Sequence, residues 1–170
     1  MRRFVAILGV VALLAFTVGP VLAKGDQAVP FKATLWGNDV TFNSVPDGRC
    51  VEKADVADAL TTFTVSGYAT HLGWVHILAE HCSDFDTGTY GDGRLTITAA
   101  NGDILKSTYT HGMMTAPPPL SGFQDDFTFV DGGTGRFTFA SGGGTEVGTY
   151  NFGTNEFWVH MEGVISYGKS

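Results

Sequence analysis

The chain has 170 residues, 44% hydrophobic and only 16% charged, with 23 glycines and 13 phenylalanines. That composition excludes an intrinsically disordered chain and argues against a helical bundle, which wants Ala, Leu, Glu and Lys. The formal net charge is -7; setting aside Arg2 and Arg3 of the leader leaves 8 basic against 17 acidic residues, or -9, too acidic to bind nucleic acid by counterion release or to favour an anionic membrane surface.

The first 23 residues read as a signal peptide. Met1-Arg2-Arg3 is a charged start, Phe4 to Val18 an apolar run, and Val21-Leu22-Ala23 a small-residue cleavage site. Cleavage after Ala23 leaves a single domain over 24–170, secreted or periplasmic, with no membrane partner once the leader is gone. An uncleaved anchor is the rival reading, since about 20 apolar residues can span a bilayer. Two cysteines remain, Cys50 and Cys82. In an oxidising compartment one disulfide is the expectation; two buried free thiols are the alternative.

From Phe31 onward the pattern repeats with a period of two. Phe31 to Trp36 reads as a first strand. Val51 to Leu60 clusters helix formers and reads as a loop with a turn of helix. Thr61 to Thr70 and Trp74 to Cys82 follow as strands around a bend at Leu72-Gly73. Arg94 to Ala99 and Ile104 to His111 flank Asn101-Gly102, the signal of a tight hairpin whose two central residues take positive φ. Pro117 to Pro119 is a stiff loop. Phe127 to Val130 and Phe137 to Ala140 pair around a glycine-rich connection, and Glu146 to Phe152 and Phe157 to Tyr167 close the chain. Roughly eight short strands without a long helix are most economically buried in a closed antiparallel barrel, which has no sheet edges.

The segment Asp131-Gly132-Gly133-Thr134-Gly135-Arg136-Phe137, followed by Ala140-Ser141-Gly142, resembles the glycine-rich stretch of the plant dirigent and allene oxide cyclase superfamily. Ala69-Thr70-His71-Leu72-Gly73, Ala99-Ala100-Asn101-Gly102-Asp103 and Glu162 to Tyr167 extend the resemblance to the bacterial secreted proteins with an allene oxide cyclase-like barrel. It implies an eight-stranded antiparallel β-barrel, calycin-like in architecture, with an apolar cavity that takes a small hydrophobic molecule and uses no cofactor. The glycines themselves read as structural, since a phosphate cradle needs a helix after the loop. Phe137 and Phe139 are expected on one face of a strand, and Arg136 with Asp131 as a local ion pair.

Two strands carry Trp, His and Glu at alternating positions. Trp74, His76, Glu80 and Cys82 share one face, with Val75, Ile77, Ala79 and His81 on the other. On the last strand Trp158, His160 and Glu162 share a face. If those faces look inward, His76, Glu80, His160 and Glu162 form an acid/base pocket walled by the ligand-binding tryptophans Trp74 and Trp158, suited to moving a proton on a bound molecule. If they look outward, they are ordinary polar positions. His71 and His111 stand beside glycines as rim or loop residues, Asp84, Asp86, Asp125 and Asp126 read as solvated, and the histidine spacing matches no metal motif. Two functions remain open: a secreted binder of a small hydrophobic molecule or cofactor-free isomerase, and a non-catalytic extracellular module whose aromatic surface mediates adhesion or homo-oligomer formation.

Overall fold

The computed structural model describes residues 27–44, 48–53 and 57–168. The leader and its cleavage site therefore lie outside the described residues, as does the middle of the 51–60 segment. Eight strands run in chain order: β1 Val29–Ser44, β2 Ala59–Ala69, β3 Gly73–Asp84, β4 Thr89–Thr98, β5 Ile104–Met114, β6 Leu120–Val130, β7 Ala140–Asn151 and β8 Glu156–Tyr167. Each is antiparallel to its neighbour, and β8 returns to β1 to close the barrel in the order β1 to β8. Closure leaves no edge strand among the described residues.

Alternation decides which side chains enter the barrel. Phe31, Ala33 and Leu35 of β1, Val75, Ile77 and Ala79 of β3, Phe123, Phe127 and Phe129 of β6, and Phe157, Val159, Met161 and Ile165 of β8 are all buried in one cluster. At roughly 25 cal/mol per Å² of apolar surface, this cluster is the main source of stability.

The two ends of the barrel differ. At one end lie the 70–72, 99–103 and 131–139 connections, and this end is plugged. Gly135–Phe137 forms a short 3-10 turn that drives Phe137 fully inside. Gly132 and Gly135 take φ of 99° and 54°, so the structural reading of the glycine-rich turn holds. The expected strand over Phe137 to Ala140 does not form. β7 begins at Ala140, and Phe139 is exposed while Phe137 is buried. Arg136 does not pair with Asp131; it donates to the His71 carbonyl and lies 4.9 Å from the Phe137 ring centroid and 5.6 Å from that of Tyr167, a cation–π seal over the plug.

The Asn101-Gly102 hairpin also differs from expectation. The loop has three residues, Ala100 to Gly102. Gly102 N–H donates to the Ala99 carbonyl, and of these residues only Gly102 has positive φ, at 86°. The Asn101 side chain instead accepts from Asp103 N–H and donates to its carboxylate, which favours a type I turn followed by a left-handed glycine.

The disulfide is present. Cys50 and Cys82 are bridged at 2.05 Å. A 3-10 helix over Gly48–Lys53 carries Cys50 and lies against the outside of β3, where Cys50, Ala57, Cys82 and Leu60 form a small apolar cluster of their own. The bridge fits an oxidising compartment. Among the described residues, no helix is long and apolar enough to cross a membrane.

Candidate functional site

The other end of the barrel is open. A cavity of about 80 Å³ sits there, walled by Phe42, Phe63, Tyr90, Phe123, Tyr150 and Phe157, with His81, Tyr109, Asp125 and Glu146 also lining it. The walls are aromatic because Phe63 and Phe157 stack with centroids 4.6 Å apart, and Tyr150 stacks on Phe157 at 4.4 Å. Such ring pairs hold one another beyond simple area burial.

Two carboxyls are buried in this aromatic setting. Asp125 is 5% exposed and Glu146 4%. They are direct cross-strand partners on β6 and β7, so both side chains enter the barrel side by side. Tyr90 donates its hydroxyl hydrogen to Asp125 Oδ2 at 2.7 Å, while Asp125 Oδ1 has no hydrogen-bond partner. Burial disfavours the charged form, so the Asp125 carboxyl is pushed up to about 7, a rise the Tyr90 hydrogen bond opposes and nearby Asp126 reinforces. Burial, and then Asp125 itself, hold the Glu146 carboxyl well above the ordinary range. Like charges this close are not both ionised at neutral pH. The pair therefore carries a proton and can donate it.

A second polar pair faces the first. His81 Nδ1 and Tyr109 Oη are hydrogen-bonded at 2.7 Å, and the imidazole stacks on Tyr90 at 4.5 Å. Burial, then the Arg49 charge, push His81 down to about 3, so it is neutral. Burial also raises Tyr90 and Tyr109, which keep their protons. Arg49 comes from the 3-10 helix and donates to the Glu80 carbonyl at 2.7 Å. The disulfide thus joins the residue after Arg49 to the residue after His81, fixing a cation beside the site. Thr61 Oγ1 and Ser83 Oγ, bonded at 2.6 Å, complete the polar wall.

Local sequence places both tyrosines. Tyr90-Gly91-Asp92-Gly93 and Tyr109-Thr110-His111-Gly112 are two Tyr-x-x-Gly segments in antiparallel register, so Tyr90 faces Gly112 and Tyr109 faces Gly93. A Cβ on Gly93 or Gly112 would lie 2.2 Å from the facing ring, so only glycine lets each ring lie across the neighbouring strand. Asp92 and His111, with φ of 51° and 58°, are bulge residues just before those glycines. His111 is thus an exposed bulge residue within β5, beside Asp126 at 3.4 Å. His71 sits at the β2–β3 turn, its Nε2 3.0 Å from the Pro30 carbonyl, at the plugged end.

The Trp-His-Glu faces point away from the cavity. Trp74 is 51% and Trp158 57% exposed. His76, His160 and Glu162 are exposed and Glu80 half-buried. The inward reading of these residues is therefore corrected: the buried alternates are Val75, Ile77 and Ala79 on β3, and Phe157, Val159 and Met161 on β8. The structure brings His160 and Glu162 together, 3.1 Å apart, with Lys32 closing an ion pair to Glu162 at 2.8 Å. His76 instead bonds Ser66 at 2.8 Å, and Glu80 stands opposite Arg94. β1 and β2 separate the two groups.

Asp125, expected in solvent, is the largest revision. Its neighbours Phe123, Phe127 and Phe129 at even spacing are the signal that places it inside. His81 was on the Val75 face by the same parity, and Glu146 shares a parity with Tyr150. Asp126 stays outside, and Asp84 turns back to accept from the Asp86 and Thr87 amides. Among the described residues, no group of three or more His, Cys, Asp or Glu stands where it could hold a metal ion.

The fold and site define a closed eight-stranded antiparallel barrel with one plugged end and one open, aromatic, acid-lined end. No family model, curated protein or solved structure matches the chain.

Proposed function

We propose that this is an exported barrel that holds one small hydrophobic molecule in its open end, with the Asp125–Glu146 carboxyl pair as the polar anchor. The observation that carries the reading is two buried carboxyls side by side in an aromatic cavity, one with an unpartnered oxygen. Native proteins rarely leave a buried polar atom unsatisfied without a use for it. Apolar cavities with a few convergent polar groups and displaced pKa values are the usual form of a small-molecule site. The export half of the reading rests on the leader-like first 23 residues and on the disulfide.

The same pair equips the site for cofactor-free isomerisation or cyclisation. A neutral carboxyl donates its proton to an oxygen of the bound molecule, and the carboxylate left behind accepts a proton from carbon or oxygen in return. The aromatic walls exclude water and suit a cationic intermediate. This is the kind of chemistry that the resemblance to allene oxide cyclase-like barrels implies.

A second reading has its own observation. On the outside, Trp36 faces Trp158 across β1 and β8, and Tyr68 faces Trp74 across β2 and β3. All four are more than half exposed, an aromatic patch of the kind that marks interaction surfaces. It supports the extracellular module, including self-association.

The test is binding of N-phenyl-1-naphthylamine, an uncharged dye that fluoresces in apolar sites. The cavity reading expects saturable binding by the parent, loss of binding in Met114→Trp, which obstructs the mouth, and no change in Trp74→Ala. Binding lost in Trp74→Ala and kept in Met114→Trp would transfer the function to the outer face.

A further inference from the structure

Strand β6 carries a second unpartnered polar atom inside the barrel. Ser121 Oγ is buried without a hydrogen-bond partner. Ser121, Phe123 and Asp125 alternate on the same inward face of that strand, which puts Ser121 about 13 Å from Asp125 along it, at ~3.3 Å per residue. Ser121 lines a second space, a groove of about 550 Å³ under the Pro117-Pro118 loop. Phe85, Gly88, Met114 and Phe152 line both this groove and the acid-lined cavity, so the two spaces adjoin.

We propose that the ligand is an elongated, uncharged, largely apolar molecule with an oxygen function at each end, held at its inner end by the Asp125–Glu146 carboxyls and at its outer end by the Ser121 hydroxyl. This inference rests on the open end being a ligand site, and it adds the shape and chemistry of the occupant. The two unsatisfied atoms set the two polar points. The apolar middle lies over Phe123, between them on the strand. Charge narrows the class further. A carboxylate at the inner end would meet two acids, and among the described residues the groove lining holds no Lys, Arg or His to receive one at the outer end. A cation at the inner end would need the pair ionised, against the burial that keeps it protonated. The chemistry left is a hydroxyl, carbonyl or ether oxygen at both ends.

Removing the Ser121 hydroxyl leaves no new unsatisfied group, so Ser121→Ala is expected to fold as well as the parent. The experiment displaces N-phenyl-1-naphthylamine with 1-decanol, with 1,10-decanediol, whose extended length is close to the 13 Å span, and with the charged analogues decanoate and decylamine. The parent is expected to bind the diol about tenfold more tightly than the mono-alcohol, the worth of one good hydrogen bond. In Ser121→Ala that advantage is expected to fall below about twofold, with 1-decanol unchanged. In Asp125→Asn both alcohols are expected to weaken together. A diol no better than decanol in the parent, or a diol advantage that survives in Ser121→Ala, overturns the two-point inference and leaves the cavity site standing. Decanoate or decylamine binding more tightly than the diol overturns the uncharged class. A parent that binds neither dye nor alcohol overturns the cavity site as well.

Discussion

Replacing Glu146 by Gln is expected to change how stability depends on pH, and the sign follows from three buried groups. Their ordinary values are 3.8 for Asp125, 4.5 for Glu146 and 6.5 for His81. Between about pH 5 and 6.5 the unfolded chain holds one proton on these groups, that of His81. The folded chain holds two, because burial raises both carboxyls and keeps His81 neutral. A carboxyl with a raised folded value contributes stability that is present at low pH and lost as pH rises. His81, with a lowered one, contributes the reverse. The net is one extra proton in the folded state, so these groups cost about 1.4 kcal/mol of stability per unit of rising pH in that window. The amide introduced by Glu146→Gln cannot titrate, and the folded and unfolded counts then match. Over about 1.5 pH units the variant should gain roughly 2 kcal/mol on the parent, or roughly 5–10 °C in Tm for a domain of this size. Urea unfolding of both proteins by circular dichroism at pH 5, 5.75 and 6.5 reads the difference directly. Parent and variant curves that run parallel across that range would refute a Glu146 carboxyl that stays protonated in the folded chain.

Three further outcomes follow from the packing. Gly133→Val is expected to cost more than about 1 kcal/mol in chemical unfolding, because its Cβ would meet the Phe137 carbonyl oxygen at 2.4 Å; a variant as stable as the parent would contradict the plug. Phe137→Ala should cost about 3–5 kcal/mol, as a fully buried ring is lost. The parent should show no thiol reactivity before reduction, and Cys50→Ala with Cys82→Ala should lose about 3–4 kcal/mol in the chain-entropy account of a 32-residue separation.

The barrel was legible because alternation carries it. Leu95 to Thr98 and Phe157 to Tyr167 show in sequence which residues share a face, and the pairing in space follows those faces. What alternation does not show is which face lies inside when both look apolar. On β3 and β8 the tryptophans made the outer face look like a pocket wall. The inner residues, Val75, Ile77 and Ala79 on β3 and Phe157, Val159, Met161 and Ile165 on β8, carry no polar group to mark them as the lining. Asp125 was hidden by the adjacent Asp126, since an Asp-Asp pair reads as solvated unless the flanking phenylalanines are counted by parity. The Tyr-x-x-Gly repeat was present in the sequence, but its meaning depends on the β4–β5 register, which runs unbroken past Asp92 and His111 while the β3–β4 and β5–β6 pairings shift at those bulges. The Asn101-Gly102 turn went astray more locally: the Asn101 side chain ties itself to Asp103, and one left-handed residue then suffices.

The outer positions offer a contrast with the cavity. Glu162→Gln and His76→Ala are expected to leave dye affinity unchanged, because Glu162 is held by Lys32 and His160 in solvent and the exposed His76 bonds Ser66 on the outer face. Fluorescence titration checks both.

The most direct measurement is a crystal structure of the protein soaked with N-phenyl-1-naphthylamine. Density for one dye per barrel is expected at the open end, against Phe63, Tyr90, Phe123 and Phe157, within reach of the Asp125 carboxyl. Density for the dye against Trp36 and Trp158 on the outer face, with the open end empty, would contradict the cavity reading.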